Sequence, residues 1–344
     1  MYGWIVRQHG GLEALEWDDA LPTPEPGPGQ VRLKVRAAGL NHLDLWVRRG
    51  VPGHRFPLPL IPCSDMAGTV DAVGPGVAPL DPDVRYLINP GFSCGACPAC
   101  DAGQHQLCSS YGIFGETTHG GAAEFAVVPQ ENLLEVPERL RWDEAASFPL
   151  AFLTAWHMVV GRARVQPGQI VLIQAAASGV SSAAVQICAL LGARVIATAG
   201  SPEKLAFARS LGAEEAINSH SEDVVRRVRE IAGRGGVDVI VDHVGTDTWE
   251  TDLRVLARGG TLVTCGATTG ADARLDLRGL FFKGWSILGS TMGSRSELRT
   301  VTGLFDQGRL RPLVHAALPL SELREAHRMI QDREVLGKVV LLHP

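Results

Sequence analysis

Residues 170–200 decide the fold of this chain: IVLIQAAASGVSSAAVQICALLGARVIATAG. A β-branched apolar run at 170–174 leads into a loop of small residues, a helical stretch that ends at Gly192, and a second apolar run at 194–199. A strand, a helix and a second strand in this order are typical of a parallel sheet with crossover helices. Ligands of such sheets bind where the first strand turns into the first helix, so this turn is the first candidate site.

The same alternation continues to about residue 291. Further strand-like runs are EAIN from 215, VDVIVD from 237, TLVTC from 261 and WSILGST from 285, and the pattern predicts a doubly wound parallel sheet of six strands. Helix starts are predicted at Ser201 with Pro202, and at Ser221 with the two acids that follow it. Helix ends are predicted at the glycines just beyond them: Gly192, Gly212 and Gly233.

The first part of the chain has a different pattern. Residues 31–136 contain short alternating or β-branched runs broken by Gly and Pro, such as VRLKVRAAG and AAEFAVV, which predict an antiparallel, partly closed β domain. The tail from residue 292 returns to mixed helix and strand and ends in GKVVLL, so we expect it to pack on the first domain. The predicted organisation is therefore 1–153, 154–291 and a returning segment 292–344.

Composition narrows the classes of partner. The 344 residues are 45% hydrophobic and 20% charged with a net charge of −5, which fits a globular two-domain protein and gives no basic surface for nucleic acid. No segment approaches the roughly 18 consecutive apolar residues of a membrane span, and the N-terminus does not have the pattern of a signal peptide. We expect a cytoplasmic protein that binds neither nucleic acid nor membrane.

Four cysteines lie within fifteen residues, in the segment CGACPACDAGQHQLC that starts at Cys94. Two residues between successive thiols point three sulfurs into one knuckle, and the fourth closes a tetrahedron around Zn²⁺. Four thiolates leave no open coordination position, so this zinc is predicted to be structural, within a lobe at about 91–110. Two disulfides or four free thiols are the alternative. The predicted ligands are Cys94, Cys97, Cys100 and Cys108.

The candidate dinucleotide turn departs from the usual fingerprint. A G-x-G-x-x-G motif would place glycines where this chain has Ala176, Ser178 and Ser181, and of the loop only Gly179 is glycine. Ala and Ser are the next smallest residues, so the backbone still allows a phosphate to approach, and the serine hydroxyls are available to donate to it. The predicted contacts are Ser178, Gly179, Val180 and Ser181; a turn without a ligand is the alternative.

The second strand indicates which nicotinamide cofactor is used. A carboxylate that binds the NAD ribose would follow this strand, but the chain has Thr198, Ala199, Gly200 and Ser201 there, with Lys204 in the next helix. A lysine at this place suits a 2′-phosphate, so NADPH is favoured over NADH, unless Lys204 is an ordinary solvated lysine. Further contacts are predicted from the loops after the fourth to sixth strands: His243, Val244, Gly245, Gly266, Ala267, Thr268, Leu288, Gly289 and Ser290.

Taken together, the stretches AAGLNHLDLWVRRG, INPGFSCGACPAC, ATAGSPEKLAFARSLGA, VDHVG and GKVVL resemble the medium-chain dehydrogenase/reductase superfamily, in particular its quinone oxidoreductase-like branch of zinc-binding alcohol dehydrogenases. The resemblance extends over essentially the whole chain. It implies a GroES-like catalytic domain with a Rossmann domain, an NAD(P)-dependent oxidoreductase, and a homodimer or homotetramer. It also implies that Lys338 lies near the cofactor phosphates.

The resemblance bears on the catalytic metal as well. Where zinc alcohol dehydrogenases of this superfamily have their catalytic zinc ligands, this chain has Asn41, Ser64 with Asp65, and Leu150. Among these only Asp65 is a ligand of the usual kind, and catalytic zinc needs about three protein ligands. We therefore expect hydride transfer without a catalytic zinc. An unorthodox second metal site that draws on His42, Cys63, Asp44 and Asp65 is the alternative.

Without that zinc, an acceptor that spreads negative charge itself is favoured, namely a quinone or an α,β-unsaturated carbonyl compound. The resemblance gives Asn41, Asp44 and Thr154 as candidate catalytic residues, although Asn41 and Asp44 also suit a helix start and Thr154 a bond to its own helix backbone. His119 is expected to be a loop histidine. Two other functions stay open: a zinc-dependent alcohol dehydrogenase, and a non-catalytic redox sensor that binds NADPH.

Overall fold

The computed structural model describes residues 1–344, with seventeen strands and eleven α-helices. The strands are β1 (Gly3–Val6), β2 (Leu15–Asp18), β3 (Gln30–Gly39), β4 (Asp65–Val73), β5 (Arg85–Ile88), β6 (Gly91–Phe92), β7 (Gly112–Ile113), β8 (Phe125–Pro129), β9 (Leu133–Glu135), β10 (Ile170–Ile173), β11 (Arg194–Ala199), β12 (Glu215–Asn218), β13 (Val237–Asp242), β14 (Leu256–Thr264), β15 (Ser286–Gly289), β16 (Val314–Pro319) and β17 (Lys338–Leu342).

The helices are α1 (His42–Arg49), α2 (Pro98–Asp101), α3 (Trp142–Ala145), α4 (Pro149–Trp156), α5 (Gly179–Leu190), α6 (Pro202–Ser210), α7 (Val224–Ala232), α8 (Thr246–Val255), α9 (Leu277–Lys283), α10 (Arg295–Asp306) and α11 (Leu323–Gln331). A π-helix at His157–Arg162 follows α4. None of these helices combines the length and apolar character needed to cross a bilayer.

The chain divides into two compact units. Unit 1 comprises Met1–Leu153 and Gly293–Pro344, and unit 2 comprises Thr154–Met292. The C-terminal segment belongs to unit 1 because β17 pairs antiparallel with β3, with Val340 opposite Gly39.

Unit 1 is built on a seven-stranded mixed sheet. Its order is β16-β17-β3-β4-β5-β9, with β8 also paired to β3, and only the β16–β17 pair is parallel. Alternate residues of β3 enter the core, where Val31 and Leu33 are fully buried, while the residues between them are partly exposed. This period of two is the pattern expected for a sheet that has one face on the core.

Unit 2 is a six-stranded parallel sheet of order β12-β11-β10-β13-β14-β15. Val171, Leu172 and Ile173 of β10 are all fully buried, as expected for a central strand covered by helices on both faces. The prediction of a doubly wound parallel sheet is confirmed. The strand order reverses between β10 and β13, which makes the carboxyl ends of these two strands the expected place for a ligand.

Local capping explains where the helices of unit 2 begin. Ser201 caps α6 as predicted, since its Oγ accepts from the N–H of Lys204 at 3.3 Å. The predicted start at Ser221 is wrong: Asp223 caps α7 and accepts from the N–H of Arg226 at 3.0 Å. The reason is that Glu222 closes a turn by accepting from the N–H of Asn218, which keeps residues 219–222 out of the helix. The three glycines predicted at helix ends all have positive φ, at Gly192, Gly212 and Gly233.

Candidate functional site

The four clustered thiols of unit 1 converge as a metal site. Their Sγ atoms all lie within 4.8 Å of one another, and Cys97 and Cys100 are 3.6 Å apart, close to the roughly 3.8 Å edge of a tetrahedron with 2.3 Å Zn–S bonds. Positive φ at Gly95 and Gly103 allows the tight knuckles. The N–H groups of Cys94 and Ser110 also donate to the sulfur of Cys108, at 3.5 and 3.4 Å, which favours its thiolate form. The four residues therefore fit a structural zinc.

The side chains suggested for an unorthodox second metal site do not converge. The thiol cluster is the one group of three or more His, Cys, Asp and Glu side chains in ligating positions in the chain. His42 is exposed and contacts Trp46 edge-on at 5.4 Å, whereas Asp65 and Cys63 are fully buried. Burial also raises the pKa of Cys63 well above its ordinary value, which disfavours a thiolate there.

Asp65, Lys338 and Asn41, near the end of β3, form a buried cluster that contains two charged side chains. Asp65 is the first residue of β4 and Lys338 the first of β17, and both strands flank the end of β3 at Gly39. A side chain at Gly39 would meet Ala146 O at 2.0 Å, so glycine is needed for this close packing. Lys338 Nζ donates to Asp65 Oδ2 at 2.9 Å and to Asn41 Oδ1 at 2.5 Å.

The carboxylate of Asp65 is fully engaged. Oδ1 accepts from the N–H of Leu150 at 2.7 Å, and Oδ2 accepts from Asn41 Nδ2 at 3.0 Å as well as from Lys338. Asn41 is the N-cap residue of α1, and its side-chain amide also donates to Asp65 and accepts from Lys338. The sequence places Lys338 among the cofactor contacts, whereas its ammonium is bound by two buried residues of unit 1.

Asp44 fixes the backbone beside this cluster. Its Oδ2 accepts from the N–H of Asn41 and its Oδ1 from the N–H of Cys63, both at 2.7 Å. Burial raises the pKa of Asp44 to about 6, and the two N–H donors and Lys338 act against that shift. Asp44 thus joins α1 to the segment before β4, where Cys63 has the unusual φ of 74°.

Thr154 is the first residue of unit 2, and its hydroxyl does not bond to its own helix backbone. Its Oγ1 donates to the Sδ of Met292 at 3.8 Å, and the side chain is 5% exposed. Sulfur is a weak acceptor, so the hydroxyl retains capacity for another partner.

The turn between β10 and α5 has the form of a phosphate site. Ser178 caps α5, and its Oγ lies 2.7 Å from Nε2 of His243, the residue that follows β13, so this bond spans the point where the strand order reverses. No protein group accepts from the N–H of Gly179 or Val180 in the first turn of this helix. Free N–H groups and the helix dipole at this place suit a pyrophosphate.

Ser181 has a different role from the predicted one. Its hydroxyl donates to the carbonyl of Gln174 at 2.7 Å and is fully buried, so it ties the helix to the strand and is not directed at a phosphate. The sequence does not distinguish the two serines, because both are small residues in the same turn.

No carboxylate lies directly at the end of β11, where an NAD-binding acid is expected. Gly200 and Ser201 lead into α6, and Lys204 lies partly buried in its first turn. Sequence reasoning missed His220: a side chain at Gly200 would meet its ring atoms at 2.5–2.9 Å, so the imidazole covers the Gly200 backbone.

The remaining predicted cofactor residues also lie at or just beyond the carboxyl ends of their strands. Asp242 ends β13 and holds the next turn, accepting from the N–H groups of Val244 at 3.1 Å and Gly245 at 3.0 Å. Thr268 Oγ1 donates to the carbonyl of His243, and burial lowers the pKa of that histidine, which favours a neutral ring. The other residues of this set lie at the carboxyl ends of the next two strands: Gly266, Ala267 and Thr268 after β14, and Leu288, Gly289 and Ser290 at the end of β15.

Both parts of the chain match known families. Residues 27–138 match the alcohol dehydrogenase GroES-like domain, and residues 179–307 match the zinc-binding dehydrogenase family. A quinone oxidoreductase of Pseudomonas aeruginosa is 32% identical over 346 residues, which is 97% of each chain. A 2-haloacrylate reductase of a Burkholderia species is 32% identical over 355 residues, or 98% of each chain.

Solved structures agree with this assignment. An NAD-dependent alcohol dehydrogenase, 48% identical in sequence, superposes with a TM-score of 0.95 over 99% of each chain. A crotonyl-CoA carboxylase/reductase in complex with NADP, 29% identical, superposes with a TM-score of 0.92 over 99% of this chain and 94% of that one. The predicted combination of a GroES-like domain and a Rossmann domain is confirmed. The chain therefore belongs to the zinc-binding dehydrogenases of the medium-chain dehydrogenase/reductase superfamily and is an NAD(P)-dependent oxidoreductase.

Proposed function

We propose that this oxidoreductase uses NADPH to reduce a quinone or an α,β-unsaturated carbonyl compound, without a catalytic zinc. The observation that carries the proposal is the contact of the Lys338 ammonium with both Asn41 and Asp65. These are two of the positions at which related alcohol dehydrogenases hold the metal. A fixed positive charge there repels a cation and neutralises the one carboxylate that would otherwise attract it.

The donor set at those positions also fits a metal poorly. Asp65 accepts three hydrogen bonds, and Leu150 contributes only a backbone N–H. Ser64 offers a hydroxyl that is fully buried and has no partner, but a neutral hydroxyl is not among the usual zinc ligands. Fewer than three protein ligands are available, against about three in catalytic zinc sites.

The choice of acceptor follows from this chemistry. Reduction of a simple ketone places the full charge on one oxygen, whereas quinones and enones delocalise it over a conjugated system. The names of two relatives, a quinone oxidoreductase and a 2-haloacrylate reductase, support acceptors of this kind. Asn41, Asp44 and Thr154 remain the proposed catalytic residues.

Ser178, Gly179 and Val180 would hold the pyrophosphate, with the loops after β13, β14 and β15 contacting the rest of the cofactor. When bound, the reduced nicotinamide supplies a hydride. Lys204, supported by His220, favours NADPH because Gly200 and Ser201, directly after β11, provide no carboxylate for the ribose hydroxyl. One similar protein is named NAD-dependent and another was solved in complex with NADP.

The deciding experiment counts metal on protein purified without chelator and screens the same sample for activity. One zinc per chain, with NADPH-dependent turnover of quinones or enones, is the expected result. Two zincs per chain, with alcohol oxidation that a chelator abolishes, would establish the zinc alcohol dehydrogenase instead. NADPH binding without turnover of any quinone, enal, enone or aldehyde would support the redox sensor.

Cofactor preference is tested by titrating NADPH and NADH against wild type and Lys204→Glu. The variant is expected to lose affinity for NADPH but not for NADH, since only the 2′-phosphate distinguishes them. Arg234→Glu is the control, because Arg234 is also an exposed cation of unit 2 but lies outside the predicted cofactor loops. A preference that Lys204→Glu leaves unchanged would remove Lys204 from the proposal.

A homodimer is proposed through β15. This strand is one of the two edge strands of the unit 2 sheet, and the helix before it exposes Leu277, Phe281 and Phe282 at 64–68%. Pairing of β15 with the same strand of a second copy would extend the sheet and cover these side chains.

Sedimentation velocity tests this interface. The double variant Phe281→Asp with Phe282→Asp is expected to be a monomer. A wild-type monomer would contradict the proposal, and a wild-type tetramer would require a second interface.

A further inference from the structure

The loop from Gly115 to Gly121 is fixed against the segment that precedes β4. Gly120 N–H donates to the carbonyl of Ile61 and Gly121 N–H to that of Cys63, both at 2.8 Å. A side chain at Gly115 would come within 2.9 Å of the Cys63 backbone, so the loop fits only because it is glycine there. Since Cys63 also donates its N–H to Asp44, this one residue connects the loop to the proposed catalytic residues.

His119 lies on this loop with a defined tautomer. The N–H of Ile61 donates to its Nδ1 at 3.2 Å, so Nδ1 is an acceptor and the proton of the neutral ring is on Nε2. Partial desolvation of the ring against the protein lowers the pKa of His119, which favours the neutral ring. The residue as a whole is still exposed, and no protein group accepts its Nε2–H.

The other titratable group of the loop is already paired. Glu116 Oε1 lies 3.6 Å from Nε2 of His54, and burial raises the pKa of Glu116. Of the two titratable side chains in this loop, His119 is therefore the one with a donor, Nε2–H, that is not used by another protein group.

We propose that His119 donates its Nε2–H to the oxygen of the bound quinone or enone and stabilises the charge that develops there. The inference rests on the proposed function. It assigns to His119 the stabilisation of the substrate oxygen that a catalytic zinc would otherwise provide. A neutral imidazole suits this role because it donates a hydrogen bond without giving up its proton, and donors directed at a developing oxyanion lower the barrier substantially.

The step balances with water as the proton source. As the β-carbon of an enone gains the hydride, its C=C π pair shifts toward the carbonyl and the oxygen becomes negative. His119 holds this oxygen and keeps its own proton. The α-carbon then takes a proton from water, so the enone is reduced by two electrons and NADPH is oxidised to NADP⁺.

Two substitutions separate this role from that of an acid or a structural residue. Gln at position 119 offers one acceptor for the Ile61 N–H and one N–H donor, like the neutral imidazole but without ionisation. Leu at position 119 removes both. We expect His119→Leu to lower kcat about 10²–10³-fold, the usual effect of losing one oxyanion donor, and His119→Gln to keep kcat within about tenfold of wild type from pH 6 to 8. His315→Leu, at an exposed histidine of β16, is the matched control and should leave kcat unchanged.

Melting temperature, zinc content and NADPH affinity are measured for every variant. Zinc content and NADPH affinity should equal wild type, because His119 contacts neither the four-thiol cluster nor, in this proposal, the cofactor. His119→Gln should keep the melting temperature, whereas His119→Leu should lower it slightly because the Ile61 N–H loses its acceptor. If His119→Leu retains kcat within about threefold of an active wild type, the inference is overturned while the proposed function stands. If His119→Gln is as inactive as His119→Leu, a proton-transfer role replaces the one proposed. Absence of wild-type turnover on all quinones and enones would overturn the proposed function, and this inference with it.

Discussion

Lys338 and Asp65 form a buried ion pair, with their charged atoms 2.9 Å apart and side chains 5% and 0% exposed. The two residues are separated by 273 positions in the chain and meet because β17 and β4 both pair with β3. Asn41 completes the cluster, so the orientation of its amide depends on this pair. The pair thus links the stability of unit 1 to the geometry of its proposed catalytic residues.

Removing one partner of this pair should cost far more than removing both. Lys338→Met leaves the Asp65 carboxylate buried without its counter-charge, and we expect a loss of about 3–5 kcal/mol in the free energy of unfolding. The double variant Asp65→Asn with Lys338→Met should recover much of that loss, because no unpaired charge remains. Urea unfolding of the single and double variants measures both effects.

The exposed pair of Arg194 and Glu214 provides the control. Their charged atoms also lie 2.9 Å apart, but the side chains are 46% and 52% exposed. Arg194→Ala should therefore cost less than about 1 kcal/mol. Equal losses for Lys338→Met and Arg194→Ala would contradict the importance assigned to the buried pair.

The zinc lobe should lose its metal and its order together. Cys100→Ser replaces a thiolate ligand by a hydroxyl, so we expect bound zinc to fall from about one per chain to an undetectable level, since structural zinc sites use four strong ligands. Limited proteolysis should then cut within residues 91–110, since the regular structure there is limited to the two-residue strand β6, the four-residue helix α2 and one 3-10 turn. Cys265→Ala, at a thiol outside the cluster, should keep its zinc and its protease resistance. Full zinc content in Cys100→Ser would exclude this ligand set.

Nucleotide binding should depend on Ser178 and not on serines outside the turn. Ser178→Ala removes the cap of α5 and the 2.7 Å bond to His243, so the first turn of the helix is held less firmly. We expect the Kd for the dinucleotide to rise about 3–10-fold, in line with one lost hydrogen bond. Isothermal titration calorimetry measures the change, with Ser210→Ala of α6 as the control; an unaltered Kd in Ser178→Ala would place the pyrophosphate elsewhere.

The sequence predicts those features that depend on local pattern. Alternation of strand and helix predicts the sheet of unit 2, and cysteine spacing predicts the convergent thiols. Features that depend on distant pairing are not predictable in this way: Lys338 meets Asp65 only through the order of strands. Neighbouring residues that all suit a helix start also compete for the N-cap position. Asp223 caps α7 in place of Ser221, because Glu222 is bonded to Asn218 in the preceding turn.

Asp252 of α8 should make the stability of unit 2 fall as the pH rises. Its Oδ1 accepts from Gln174 at 2.6 Å, but its Oδ2 is buried without a partner, and burial raises its pKa well above the ordinary value. The folded protein then keeps the proton while the unfolded chain releases it above about pH 4. Between that pH and the raised pKa, the unfolded state binds fewer protons, so stability declines by up to about 1.4 kcal/mol per pH unit.

Asp252→Asn removes this titration while keeping the shape of the side chain and the oxygen that accepts from Gln174. Relative to wild type, the variant should therefore become progressively more stable between pH 5 and pH 8, with the smallest difference at the acid end. Urea unfolding at several pH values measures the trend. Glu203→Gln, at an exposed carboxylate of unit 2, should show no such gain because it is not desolvated. A difference between Asp252→Asn and wild type that is constant with pH would show that Asp252 is ionised in the folded protein.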